Sequence, residues 1–129
     1  MKRLLATLAL ACIILPGAPS AFSAEQKIVA AHDLLKAFTD NRNAAEEQYL
    51  GKIILINGVV LATGISKYMT PNVELSDRKD GVTQVICVLP RLDADKLSGF
   101  APGQNVTMSG KVYKHSSGRM IVKECGIVE

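Results

Sequence analysis

After residue 24 the apolar positions recur at intervals of three and four, and after Gly51 they recur at every second position. The first interval is helical. In "IVAAHDLLKAF", Ile28, Ala31, Leu34 or Leu35, and Phe38 fall on one face, predicting a helix. "TDNRN" interrupts it with turn-prone residues. Asn43 is then placed to cap a second short helix, "AAEEQYL", with Glu46 three residues on as in a capping box, and Gly51 ends it. The alternating part predicts five strands. They are "KIILINGVVLATGISKY", "NVELSD", "VTQVICVLP", "GQNVTMSGKVYK" and "RMIVKECGIV". "RKDG" and "HSSG" read as turns, and "DADKLSGF" reads as a short helix with Asp93 as its cap.

The first and fourth strands share a skeleton. Gly51–Val60 ("GKIILINGVV") and Gly103–Val112 ("GQNVTMSGKV") match at Gly51/Gly103, Ile54/Val106, Ile56/Met108, Gly58/Gly110 and Val60/Val112. In the fourth strand only the set Val106, Met108, Gly110, Val112 is apolar, so it faces the core. The same parity turns Ile54, Ile56, Gly58 and Val60 inward and Asn57 outward. Glycine inside a strand permits a bulge, or a tight coil where a side chain would crowd the interior. Two long bent strands at positions one and four, with a helix between three and four, predict a mainly β fold. It is a five-stranded OB-fold Greek-key barrel with an N-terminal helical preface.

Asn41, Ala45, Tyr49, Gly51 and Lys52 form "N-x-x-x-A-x-x-x-Y-x-G-K". This opening resembles that of the tRNA_anti-like family, small exported or lipoprotein bacterial proteins with an OB-fold. Gly58 and Val60 are similar to its first strand, and Cys87 and Cys125 to its two cysteine positions. The resemblance covers about residues 30–128. The family name reflects a fold likeness to anticodon-binding domains and does not by itself imply tRNA binding.

The N-terminus alters the accounting of charge and size. Lys2 and Arg3 precede the apolar run "LLATLALACIIL" and then "PGAPSAFSA", the order of a secretory signal. The run is shorter than the roughly 20 residues a spanning helix needs. Small residues at Ala21 and Ser23 fit cleavage before Ala24. The expected layout is a signal peptide over 1–23, the preface over 24–50 and the barrel over 51–129, the last two forming one domain. Export implies a periplasmic protein, and lipidation at Cys12 in "LALAC" is the alternative. That lipobox is a weak one, with Ala9 where a larger aliphatic residue belongs, and here the chain departs from lipoprotein members of the family. The chain holds fifteen basic and twelve acidic residues; losing Lys2 and Arg3 leaves thirteen against twelve, a net of +1. Near-neutral charge disfavours, without excluding, a nucleic-acid partner.

Cys87 and Cys125 remain after cleavage. A disulfide, a metal pair and a reactive thiol are the three readings, and an oxidising compartment favours the bond. It would close a loop of about 39 residues, worth roughly 4 kcal/mol in the chain-entropy picture. Zinc needs two further ligands, and no C-x-x-C or paired histidine offers them, so no metal or cofactor is expected. His32 reads as a helix residue. A triad built from His115 with Ser116 or Ser117 would sit in a turn without fixed geometry, so no catalytic residue is assigned. Asp93 and Asp95 are explained by capping.

OB-folds bind on strands two and three and on the loops joining strands one-two and four-five. Here those loops are "SKYMTPN" and "YKHSSGR", so Lys67, Tyr68, Tyr113, Lys114, His115 and Arg119 are the candidate ligand residues. The expected function is a non-enzymatic binding or adaptor module of the cell envelope, contacting a protein or small ligand. The alternative is single-stranded nucleic-acid binding through the basic and aromatic loops.

Overall fold

A computed structural model of the chain describes residues 27–128. The expected signal peptide, with Cys12, lies outside them. The elements are β1 (Ile28–Ala30), α1 (Ala31–Asp40), α2 (Arg42–Tyr49), β2 (Ile53–Ile65), β3 (Pro71–Ser76) and β4 (Val85–Val88). A 3-10 helix (Arg91–Gly99), β5 (Asn105–Ser116) and β6 (Arg119–Ile127) complete the chain.

The five long strands close on themselves. β2 pairs antiparallel with β3 and with β5, β3 with β4, and β5 with β6; the parallel pair β4–β6 completes the ring. This is the expected OB-fold barrel. The predicted parity holds: Ile56, Val60, Val106, Met108 and Val112 are buried. Asn57 points outward, where its side-chain amide donates to Asn105 Oδ1 (2.9 Å) and Thr107 Oγ1 (3.0 Å).

The two ends of the barrel are stopped by different elements. At one end α1 inserts Leu34 and Phe38, both essentially inaccessible. Burying two such side chains contributes about 2 kcal/mol each. At the other end Leu89 and Phe100 are buried and Leu97 packs against them, while the 3-10 helix itself buries no residue completely and leaves Leu92 exposed.

Three local expectations need correction. Ile28 is not on the helix: Ile28–Ala30 is a strand, parallel to Leu55–Asn57. β3 reaches β2 only as far as Val59↔Ser76, so the neighbouring edge of β2 still had backbone groups to satisfy, and β1 takes them. The second helix is capped by Asn41, whose Oδ1 accepts from Ala44 N at 3.2 Å, not by Asn43. Asp93 caps nothing. It lies inside the 3-10 helix with non-helical backbone angles, 3.5 Å from Lys96 Nζ.

The expected disulfide is not formed. Cys87 and Cys125 are free thiols, both buried. They nevertheless lie close on paired strands: the Cys125 thiol donates to Val122 O at 3.5 Å, and Val122 is the β6 residue paired with Cys87 on β4. The neighbouring Cys87 thiol, and then burial, hold the Cys125 thiol protonated far above its ordinary range.

Candidate functional site: a lysine-flanked tyrosine cleft

The six residues expected to bind ligand do not form one site. β2 and β5 are antiparallel, so the loops that follow them leave opposite ends of the barrel. Lys67 and Tyr68 sit at the end stopped by the 3-10 helix. Ser66 Oγ accepts from the backbone N–H groups of Tyr68 (3.2 Å) and Thr70 (3.3 Å), and Arg91 donates to Tyr68 O at 3.3 Å. The Tyr68 ring is exposed, with Lys67 Nζ 5.3 Å from its centroid.

Tyr113, Lys114, His115 and Arg119 sit at the other end, on a hairpin turned at Ser117 and Gly118. Both turn residues have positive φ (53° and 75°), the backbone of a tight two-residue turn. His115 is only partly exposed. Its ring stacks on Phe38 (6.1 Å between centroids, 22°), and Arg42 Nη2 lies 3.0 Å from its Nδ1 and donates to its carbonyl at 3.3 Å. This residue joins the hairpin to the preface. Arg119 is exposed at the start of β6.

What the hairpin assembles is a cleft of about 310 Å³ on the outside of the barrel. Leu50, Gly51 and Val112 line it together with Lys111, Tyr113, Lys123 and Glu124. Gly51 (φ +78°) turns the chain from α2 into β2, donates to Val112 O at 2.8 Å and so seats Leu50 beside the hairpin. Lys123 Nζ stands 3.7 Å above the Tyr113 ring, and Lys114 Nζ 5.5 Å from it. Two ammonium groups therefore approach one half-exposed aromatic ring, and Lys111 and Glu124 line the same cleft.

Two bulges build this cleft. The β5–β6 register slips between Val112↔Val122 and Lys114↔Ile121, which leaves Tyr113 as the extra residue on β5. It slips the other way between Lys111↔Lys123 and Ser109↔Gly126, which places the extra residue on β6 at Glu124–Cys125. Each bulge bends its strand and re-aims side chains. Lys111 and Lys123 were absent from the expected site. The alternation "KVYK" did place Lys111 on the face of Tyr113, but bringing Lys123 there requires the bulges.

The usual OB-fold face is different in kind. The half-buried residues of β3 and β4 that point away from the core include Asn72, Glu74 and Ile86, and Glu74 accepts from Thr83 Oγ1 at 2.6 Å. A second cleft of about 420 Å³ lies by the 3-10 helix, but its charged pair, Asp93 and Lys96, is already joined. Among the described residues no group of three or more metal-ligating side chains occurs, and no helix is long and apolar enough to cross a membrane.

No curated protein sequence matches the chain. Among solved structures, a provisionally named nucleic acid-binding lipoprotein of Klebsiella pneumoniae subsp. pneumoniae is similar in fold. Its TM-score is 0.69 at 19% identity, over 82% of this chain and 94% of that one. A provisionally named aspartyl-tRNA synthetase of Leishmania major is similar over 84% of this chain but only 21% of its own, with TM-score 0.52 and 17% identity. The tRNA_anti-like family model matches residues 18–126, and with the barrel and the Asn41–Lys52 opening in place, the chain belongs to that family.

Proposed function

We propose that this chain is a non-enzymatic binding module, exported by its N-terminal signal to the periplasm, that holds an anionic group of a small ligand or partner protein in the Tyr113 cleft. The observation that carries this reading is Tyr113 itself, a bulged aromatic residue with Lys123 over its face and Lys111 lining the same cleft. A cation held over a ring and still solvent-accessible can be redirected to an anion at little loss, since exposed cation–π contacts are worth about 0.5–1 kcal/mol. Both histidines have structural partners, His32 with Gln84 (3.3 Å) and His115 with Arg42, which supports binding over acid–base chemistry. A lipoprotein name on a relative of the same fold keeps anchoring at Cys12 as the alternative to free export. In the periplasm the Cys87–Cys125 pair would meet disulfide oxidants and close.

Phenyl phosphate tests this reading, offering a ring to Leu50 and Tyr113 and a dianion to the lysines. Calorimetry on the full chain should show binding that falls at least tenfold in Tyr113→Ala and in Lys123→Gln but not in Tyr68→Ala, at the other end of the barrel. Binding that ignores both cleft variants would show that the site lies elsewhere.

Single-stranded nucleic acid is the second reading, favoured by the lysine–tyrosine cluster and by the nucleic-acid-binding name of the Klebsiella relative. A labelled oligothymidylate at low salt decides it. Its affinity must fall with salt at a slope set by the phosphates engaged, and a flat response rules the reading out.

A further inference from the structure

Strict alternation along β6 from Met120 and Val122, both buried, would put residue 124 inside and residue 125 outside. The reverse is observed. Lys123 and Glu124 are both exposed and Cys125 is 1% exposed. The switch occurs at Glu124, whose φ of +55° is left-handed backbone that a β-carbon disfavours. Such strain persists only where the surroundings enforce it, and it marks a device rather than a default. Across the ladder Gly110 leaves room for the result. A β-carbon there would lie 2.9 Å from Cys125 Sγ and 2.4 Å from Val122 Cγ1. A strained non-glycine residue and a close-packed glycine thus cooperate to turn Cys125 into the core beside Cys87: both are buried, and the Cys125 thiol donates at 3.5 Å to the carbonyl of Val122, the residue paired with Cys87 on β4.

The residues that make this turn also make the cleft. Lys123 and Glu124 line it and directly precede Cys125.

We propose that Cys87 and Cys125 are a redox-closed strap beneath the cleft: their disulfide fixes the Lys123–Glu124 bulge and so sets the affinity of the Tyr113 site. The effect on affinity rests on the binding reading given above; the strap itself does not. Closure proceeds by exchange with a disulfide oxidant. One cysteine thiolate attacks the oxidant's S–S bond and expels one oxidant thiolate. The other cysteine thiolate then attacks the mixed disulfide and expels the second. Each protein thiol gives its proton to water, the pair loses two electrons, and the oxidant is reduced to two thiols. Because both sulfurs are buried, exchange belongs to folding or to local opening of β6.

The test uses the full chain carrying Cys12→Ser, unfolded and refolded in parallel with reduced and with oxidised glutathione. The expected oxidised product has lost about 2 Da and yields one peptide linking Cys87 to Cys125. Its Tm rises by about 10–20 °C. Amide exchange over residues 123–126 slows, and phenyl phosphate binds about tenfold more tightly than to the reduced form. Two titratable thiols after oxidised refolding overturn the strap. A bond that leaves exchange at 123–126 unchanged overturns its control of the bulge. Slower exchange with equal phenyl phosphate affinity overturns its control of binding. Slower exchange with no phenyl phosphate binding in either state supports the strap while refuting the cleft reading.

Discussion

The two copies of the ten-residue pattern lie side by side in the barrel wall, and they differ in what surrounds them. Ile56 pairs directly with Met108; on either side Ile54 pairs with Gly110 and Gly58 with Val106. The backbone bonds are reciprocal. Gly51 N donates to Val112 O (2.8 Å) and Gly103 N to Val60 O (2.7 Å), while Val112 N donates to Lys52 O (3.0 Å) and Val60 N to Gln104 O (2.8 Å). Gly51 and Gly103 share positive φ, +78° and +90°. The pattern is thus a local pseudo-twofold: a strand paired with its own likeness. The surroundings then diverge. Gly58 lies under Ala31, Leu75 and Ser76, where α1 stops the barrel. Gly110 lies under Val122 and Cys125, at the β6 bulge. One copy is wrapped by a plug, the other by the thiol pair and the cleft.

The inner glycines test that asymmetry most severely. Both are there for close approach, since neither has positive φ. In Gly110→Ala the new methyl would meet Val122 Cγ1 at 2.4 Å and Cys125 Sγ at 2.9 Å, so these buried side chains, or β6 with them, must shift. Urea denaturation should show a loss of about 3 kcal/mol. In Gly58→Ala the nearest atoms are at 3.1–3.3 Å and need yield only slightly, so a loss of about 1–2 kcal/mol is expected. Equal losses would mean that the two copies are packed alike and that the bulge adds no constraint. The outer glycines should restore the symmetry. Gly51→Ala and Gly103→Ala meet no crowding, only an unfavourable φ, so each should lose about 1 kcal/mol, and the two should agree closely.

How much of this was readable beforehand follows from which rules are local. Parity is local, so the inward sets of β2 and β5 and the outward Asn57 were legible, and with the strand order they yielded the barrel. Pairing is not local. That the copies lie side by side, and so send Tyr68 and Tyr113 to opposite ends, depends on the antiparallel contact of β2 with β5. The bulges were illegible for a stronger reason. Nothing in "KECG" announces that Glu124 adopts a glycine-like backbone, and without that turn Cys125 and Lys123 project differently. The helical period correctly put Leu34 and Phe38 inside but ran on too far, through Ile28, because the demand for a partner came from an edge of β2 distant in sequence.

The smallest predicted effects compare the lysine–tyrosine contacts that follow each copy. Lys67 lies 5.3 Å from the Tyr68 centroid, Lys114 5.5 Å and Lys123 3.7 Å from that of Tyr113. Cation–π attraction falls quickly with distance, and all three ammonium groups are on exposed residues. Double-mutant cycles that replace lysine by methionine and tyrosine by leucine should therefore read about 0.5 kcal/mol for Lys123–Tyr113, and within error of zero for Lys67–Tyr68 and Lys114–Tyr113. The bulge is what separates the cases. It carries Lys123 over the ring from the neighbouring strand, whereas a lysine adjacent in sequence can only lean toward the edge of its neighbour. A coupling at Lys67–Tyr68 as large as at Lys123–Tyr113 would remove this distinction, and with it the reason to place the binding site on the second copy rather than the first.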